Sequence, residues 1–148
     1  MKYKTFENMN CSLAQTLDII GERWTLLILR DAFFGTRRFS DFQQGLGIAR
    51  NILSTRLSRL VAEGILEKRE HEHAHAEYVL TEKGLDLQPV LLAMTHWGDR
   101  YRPDPRGARL VFIDRRDQEP IRTMSAVAAD GRALAPREVK AIPGPALE

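Results

Sequence analysis

Residues 49–64, ARNILSTRLSRLVAEG, decide the fold. Wound at about 100° per residue, this stretch puts Leu53, Leu57, Leu60 and Val61 on one side of a helix. The spacing predicts that helix from Ala49 to about Glu63, with Gly64 as its C-terminal stop. Asn51, Thr55, Ser58 and Arg59 fall opposite the leucines, with Arg50, Ser54 and Arg56 on the flanks. No carboxylate interrupts that outer side before Glu63. An ordinary amphipathic surface helix mixes glutamate with lysine there. Side-chain amides and guanidinium groups bond bidentately to adenine and guanine edges, while hydroxyls and flanking arginines suit phosphate oxygens. The outer side is therefore suited to the major groove of double-stranded DNA.

Outward from this helix the pattern is regular. Upstream, Ser12 to Gly21 has apolar residues at Leu13, Ala14, Leu17 and Ile20, with Ser12 as a candidate cap. A second helix is expected from about Arg23 to Phe33, apolar around most of its girth and so central. Gly35 stops it, Thr36-Arg37-Arg38 comes next as a basic turn, and Ser40 reads as the N-cap of a short helix containing Phe42. Gly45-Leu46-Gly47 then breaks the chain tightly. Downstream, the strand-like runs 65–69 and 77–81 flank a polar stretch, which predicts a β-hairpin. A further helix is expected after Pro89, ending near Pro103. Helix, helix, short helix, helix and hairpin, in that order, describe a winged helix-turn-helix, mainly α with a small β wing. The expected division is 1–103 for this domain and 104–148 for a C-terminal appendage.

Composition narrows the class. The 148 residues hold 43% hydrophobic and 28% charged side chains, enough for a core that needs no covalent staples. A single cysteine excludes an intrachain disulfide framework. Apolar runs are too short for a membrane span, and the opening MKYKTFENMN lacks the apolar core of a secretory leader. A reduced, soluble, cytoplasmic protein is expected. Net charge is +2, yet residues 1–69 carry eleven Lys/Arg against seven Asp/Glu. Between positions 37 and 59, Arg37, Arg38, Arg50, Arg56 and Arg59 face only Asp41. Clustered arginine with so little counter-charge is a polyanion-binding footprint. No Gly-rich phosphate loop, nucleophile elbow or carboxylate pair beside a histidine occurs, so an enzyme is not expected and no cofactor is implied.

Several blocks carry a family resemblance. Cys11 to Ala14, Leu17 to Arg30, Arg38 to Phe42, Asn51 to Leu57, Leu60 to Leu66 and Tyr78 to Gly84 together closely resemble the HxlR-type bacterial transcription regulators, a family related to the MarR-like regulators. The match spans about residues 11–101. It implies a homodimer through the first and last long helices, binding operator DNA as repressor or activator under an inducer the sequence does not name. The recognition role falls on Asn51, Ser54, Thr55 and Arg56, and the wing role on Arg69 through Glu77. Two recognition helices spaced by one DNA turn, about 34 Å, would read a two-fold symmetric site. Arg37 and Arg38 would clamp phosphates, with Ser40 and Arg59 beside the groove. Arg69, with His71 or His73, would touch the flanking backbone or minor groove.

Other features carry separate expectations. Cys11 lies at the N-terminus of the first helix, where the dipole favours an anion. The resemblance implies a redox or electrophile sensor there; a small apolar residue is the alternative. His71, His73 and His75 alternate, and on one strand they would present three imidazoles to a metal; a solvated wing tip is the commoner meaning of such a run. His96, beside Trp97, is expected at the seam between two copies. Trp24, Phe33, Phe34, Phe42, Leu91, Met94 and Trp97 suit either core packing or a ligand cavity at that seam. A winged-helix interaction module without DNA contact is the remaining alternative. The tail resembles an appendage whose cysteines hold zinc in some members. Pro136 to Val139 and Pro143 to Pro145 are kept, but Asp117, Val127 and Asp130 stand at the cysteine positions. A metal-free β-hairpin packed on the dimer, built from the runs 110–113 and 121–127, is expected.

Overall fold

The computed structural model describes residues 4–147, which form two compact units dividing between Gln88 and Pro89. The first unit begins with α1 (Ser12–Ile20) and α2 (Thr25–Phe33). Cys11 occupies the N-cap of α1 without a side-chain bond, so Ser12 is the first helical residue rather than the cap. Glu22 fixes the start of α2: its Oε2 accepts from the Trp24 N–H at 3.0 Å and the Thr25 hydroxyl at 3.3 Å. α3 (Phe39–Leu46) and α4 (Arg50–Ala62) are the helix-turn-helix. Gly47 closes α3 at φ +63°, a left-handed position that glycine adopts without a Cβ penalty. Ser40 falls inside the first turn of α3 and Arg38 takes the N-cap, which corrects the capping expectation.

The periodicity of α4 is realised in the core. Leu53, Leu57 and Leu60 are fully buried with Phe42, Ile28 and Leu29, while Val61 is only partly covered. Each such burial contributes about 2 kcal/mol, so the leucines fix the roll of α4 and with it the side that faces water. Ile48, in the turn between α3 and α4, is 3% exposed and ties that turn to the same core.

The wing is an antiparallel pair, β1 (Leu66–His71) and β2 (Ala74–Leu80), in register from Leu66 opposite Leu80 to His71 opposite Ala74. A bulge interrupts it between Arg69 and His71. Its free edge is tied down: the Tyr78 N–H donates to the Arg37 carbonyl at 2.7 Å, and the backbones of Arg38 and Glu77 form an isolated antiparallel bridge. At its base, Thr81 caps α5 (Glu82–Leu85) by accepting from the Gly84 N–H.

The second unit holds the tail and, from Pro89 on, α6 (Gln88–Tyr101). The expected boundary at 103/104 thus differs from the observed grouping, because α6 packs with the tail. The Asp99 carboxylate accepts from Arg109 at 3.0 Å, and the same guanidinium donates to the Arg102 carbonyl. His96 meets Phe112 edge-on, with ring centres 5.9 Å apart. Its ring is therefore in contact with the tail of its own copy. The tail strands are also shifted from expectation. Only β3 (Ala126–Val127) and β4 (Ala133–Leu134) pair, around a turn with Gly131 at φ +92°. The run 110–113 forms no strand; Ile113 and Pro120 make one isolated bridge.

Candidate nucleic-acid interface

The outer side of α4 exposes Asn51, Ser54, Thr55, Ser58 and Arg59 to solvent. The Thr55 hydroxyl donates back to the Asn51 carbonyl at 2.9 Å. The Asn51 side-chain amide has no hydrogen-bond partner among the described residues. The arginines behave differently from one another. Arg56 is half-buried, with Nε 2.7 Å from Glu22 Oε2 in a charge contact not aligned as a hydrogen bond. Its position corrects the expectation of an outward flank. Arg59 is held by Glu63 one turn on, at 3.0 Å.

Beside the N-terminus of α4 lies a depression of 270 Å³ between α3 and the wing. Arg38, Ser40, Arg50, Lys68 and His75 line it with Phe39, Ala76 and Tyr78, and no carboxylate does. Arg50 lies 5.2 Å over the Phe39 ring and the Lys68 ammonium 5.9 Å over Tyr78. Aromatic faces hold such cations without neutralising them. Lys68 also reaches Glu70 at 3.5 Å, an exposed pair of little strength. Four cationic or protonatable groups thus converge with a hydroxyl around a space that would hold a phosphate. Arg38, Ser40 and Arg50 are legible in the sequence as site residues, whereas Lys68 and Tyr78 are not. The available signal was their alternation on the wing strands: Lys68 pairs with Tyr78 across the hairpin.

The remaining wing charges are largely internal. Glu77 lies 3.5 Å from Arg37 and 3.4 Å from His71, and Arg69 lies 3.6 Å from Glu67. His73, at the turn, is 91% exposed. The three histidines do not share a strand face: His71 ends β1, His73 is in the turn and His75 lies on β2 beside the basic depression. That arrangement overturns the premise of the triple-imidazole site. No group of three potential metal ligands occurs among the described residues.

Cys11 is an exposed free thiol. In the tail, the acidic residues at the cysteine positions serve turns: Asp117 accepts from the Glu119 N–H at 3.0 Å, and Asp130 from Arg132 at 2.9 Å. The Arg132 side chain, then its N–H, hold the Asp130 carboxyl below its usual range. Of the aromatic residues weighed for a cavity, Phe42 is fully buried in the first unit, while Phe34 and Trp97 are exposed. No helix among the described residues is long and apolar enough to cross a membrane.

A helix-turn-helix carrying a β-hairpin wing places the protein in the winged-helix class of transcription regulators. A family model described as HxlR-like helix-turn-helix matches residues 19–105, and the chain belongs to that family. It is 37% identical over 139 residues to the uncharacterised HTH-type transcriptional regulator Rv3095 of Mycobacterium tuberculosis, covering 93% of this chain and 88% of that one. Among solved structures it is similar to PA1607, a protein provisionally classed as a transcription factor. There the TM-score is 0.86 at 37% identity, over 94% of this chain and 99% of the other. The reduced form of the redox regulator HypR matches 62% of this chain and 94% of its own, at 32% identity and TM-score 0.58.

Proposed function

We propose that the protein binds operator DNA as a homodimer, with α4 in the major groove and one backbone phosphate in the basic depression between α3 and the wing. The observation that carries this reading is the contrast among its arginines. Arg37, Arg56, Arg59 and Arg69 each lie within 3.6 Å of a carboxylate, whereas Arg38 and Arg50 have none that close and meet Lys68 and His75 at one concave site. Self-neutralised arginines hold a fold together; unneutralised ones gathered in a depression await an external anion. Arg38, Ser40 and Arg50 are the phosphate contacts, Asn51, Ser54 and Thr55 face the bases, and His73 reaches the flanking backbone from the wing tip. Arg37, Arg59 and Arg69, each beside a carboxylate, and His71 beside Glu77 border that surface.

A second copy is required because one recognition helix reads only a few base pairs. Each copy has apolar side chains to commit to it. No residue of α6 is buried, and Met94, Trp97 and Tyr101 are 53%, 63% and 57% exposed. On α1, Leu13 and Leu17 are 66% and 45% exposed.

The test is fluorescence anisotropy on the promoter region beside the protein's own gene, across a salt series. Each phosphate contact removed flattens the plot of log affinity against log salt by about 0.9. Arg38→Ala and Arg50→Ala should each do so and weaken all sequences alike. Salt-independent binding, or no binding to any duplex, defeats the reading.

Control through Cys11 belongs to the same proposal. The thiol is exposed at the N-cap of α1, and HypR, a structural relative, is named a redox regulator. Diamide should release DNA from the wild type and leave Cys11→Ser bound; equal release from both removes the sensor.

A further inference from the structure

We infer that Asn51 reads an adenine in the major groove, and that each half-site is selected as A·T at the pair facing Asn51. This rests on the DNA-binding reading above. Guanine is read by an arginine or lysine placed bidentately on its O6 and N7. α4 contains three arginines, and none is placed for that task. Arg56 is turned toward Glu22, with only 27% of its side chain exposed. Arg59 is paired with Glu63 and lies eight residues beyond Asn51. That is about 12 Å along the axis, away from the N-terminal turns that a helix-turn-helix presents to bases. Arg50 stands over Phe39 in the basic depression, committed to the DNA backbone.

The base-facing set is therefore Asn51, Ser54, Thr55 and Ser58, all uncharged and exposed. A primary amide offers one donor edge and one acceptor edge. Adenine presents the complement, an N7 acceptor beside an N6 donor, whereas guanine presents two acceptors and leaves the amide oxygen opposed. Asn51 is in the first turn of α4, and its amide has no partner to lose on binding. The Thr55 hydroxyl proton is spent on the Asn51 carbonyl, which leaves its methyl as an apolar partner for the thymine methyl.

The experiment selects duplexes from a randomised pool with wild-type protein, Asn51→Ala and Asn51→Gln. Wild type should enrich an A·T pair at one position per half-site, and Asn51→Ala should lose that preference. Asn51→Gln, with the same amide on a longer stem, should keep adenine at reduced affinity. Replacing the selected adenine by 7-deazaadenine should weaken wild-type binding roughly ten- to a hundred-fold and leave Asn51→Ala unchanged. Because Asn51 is exposed, its variants should melt with the wild type, which separates lost readout from lost fold. Enrichment of G·C at the pair facing Asn51, retention of the adenine by Asn51→Ala, or indifference to 7-deazaadenine each overturns the inference. In those cases salt-dependent binding to unselected DNA persists; its absence would instead sink the DNA-binding reading itself.

Discussion

Glu22 serves two elements with one carboxylate: it accepts from the Trp24 N–H and the Thr25 hydroxyl at the start of α2, and it holds Arg56 of α4. Losing such a hydrogen-bond acceptor costs about 1 kcal/mol and losing a partly exposed ion pair up to about 1 kcal/mol. Glu22→Ala should therefore destabilise the protein by about 1–2 kcal/mol in urea unfolding. Glu22→Gln, which keeps an acceptor oxygen, should recover most of the hydrogen-bond share and none of the pair. A second test concerns Asp104. The Arg106 side chain, then its N–H, then the charge of Arg109 bring its carboxyl from 3.8 down to about 2. A depressed carboxylate stabilises the fold above its unfolded pKa, and that stabilisation fades as pH falls from about 4 through about 2. Carboxyl NMR titration should place its midpoint near 2, and Arg106→Ala should return it toward the ordinary value. Neither pairing was legible in the sequence by the same route. Asp104 and Arg106 are two positions apart, but Glu22 and Arg56 are 34 positions apart and meet only once the leucines have set the roll of α4.

At the scale of elements, the sequence was legible where a period spans several turns. Leu53, Leu57 and Leu60 were enough to place α4, because three burials on one side outweigh any local alternative. It was not legible where two or three residues decide. Ser40 has the chemistry of a cap, yet the backbone enters α3 earlier and gives that place to Arg38. The tail strands went astray for a related reason: β-rich composition at 110–113 finds no neighbouring strand to pair with, while the short Ala126 and Ala133 pairs are closed by the Asp130–Gly131 turn. The wing was found as a hairpin, but its role in completing the basic depression depends on Lys68 and Tyr78 standing opposite each other. The junction below it gives a sharp test. A Cβ on Gly84 would collide with the Ile65 carbonyl, and the neighbouring Thr81 hydroxyl already bonds there. Backbone against backbone has no rotamer to escape into, so Gly84→Ala should cost about 1–3 kcal/mol in urea unfolding. Gly47→Ala, strained only by its positive φ in open space, should cost about 1 kcal/mol.

For the whole molecule the decisive quantity is valency. α6 runs fourteen residues without a buried one, and exposed apolar side chains of this size are costly to leave in water. Covering Trp97 and Met94 with a second copy would remove that cost and bring two recognition helices under one binding event. Trp97→Asp places a charge where that seam should close, and its exposure means the protomer has little packing of its own to lose. Sedimentation velocity should then show a species of half the wild-type mass with unchanged helical circular dichroism. Affinity for a two-fold operator should fall by about 10²–10⁴, the advantage that linked half-sites confer, while binding to an isolated half-site should not change. A Trp97→Asp protein that still sediments as a dimer would place the seam elsewhere, and Leu13→Asp on α1 would then be the variant expected to split it. If both variants remain dimeric, the assembly uses neither helix, and the half-site geometry inferred for α4 has to be rebuilt from another axis.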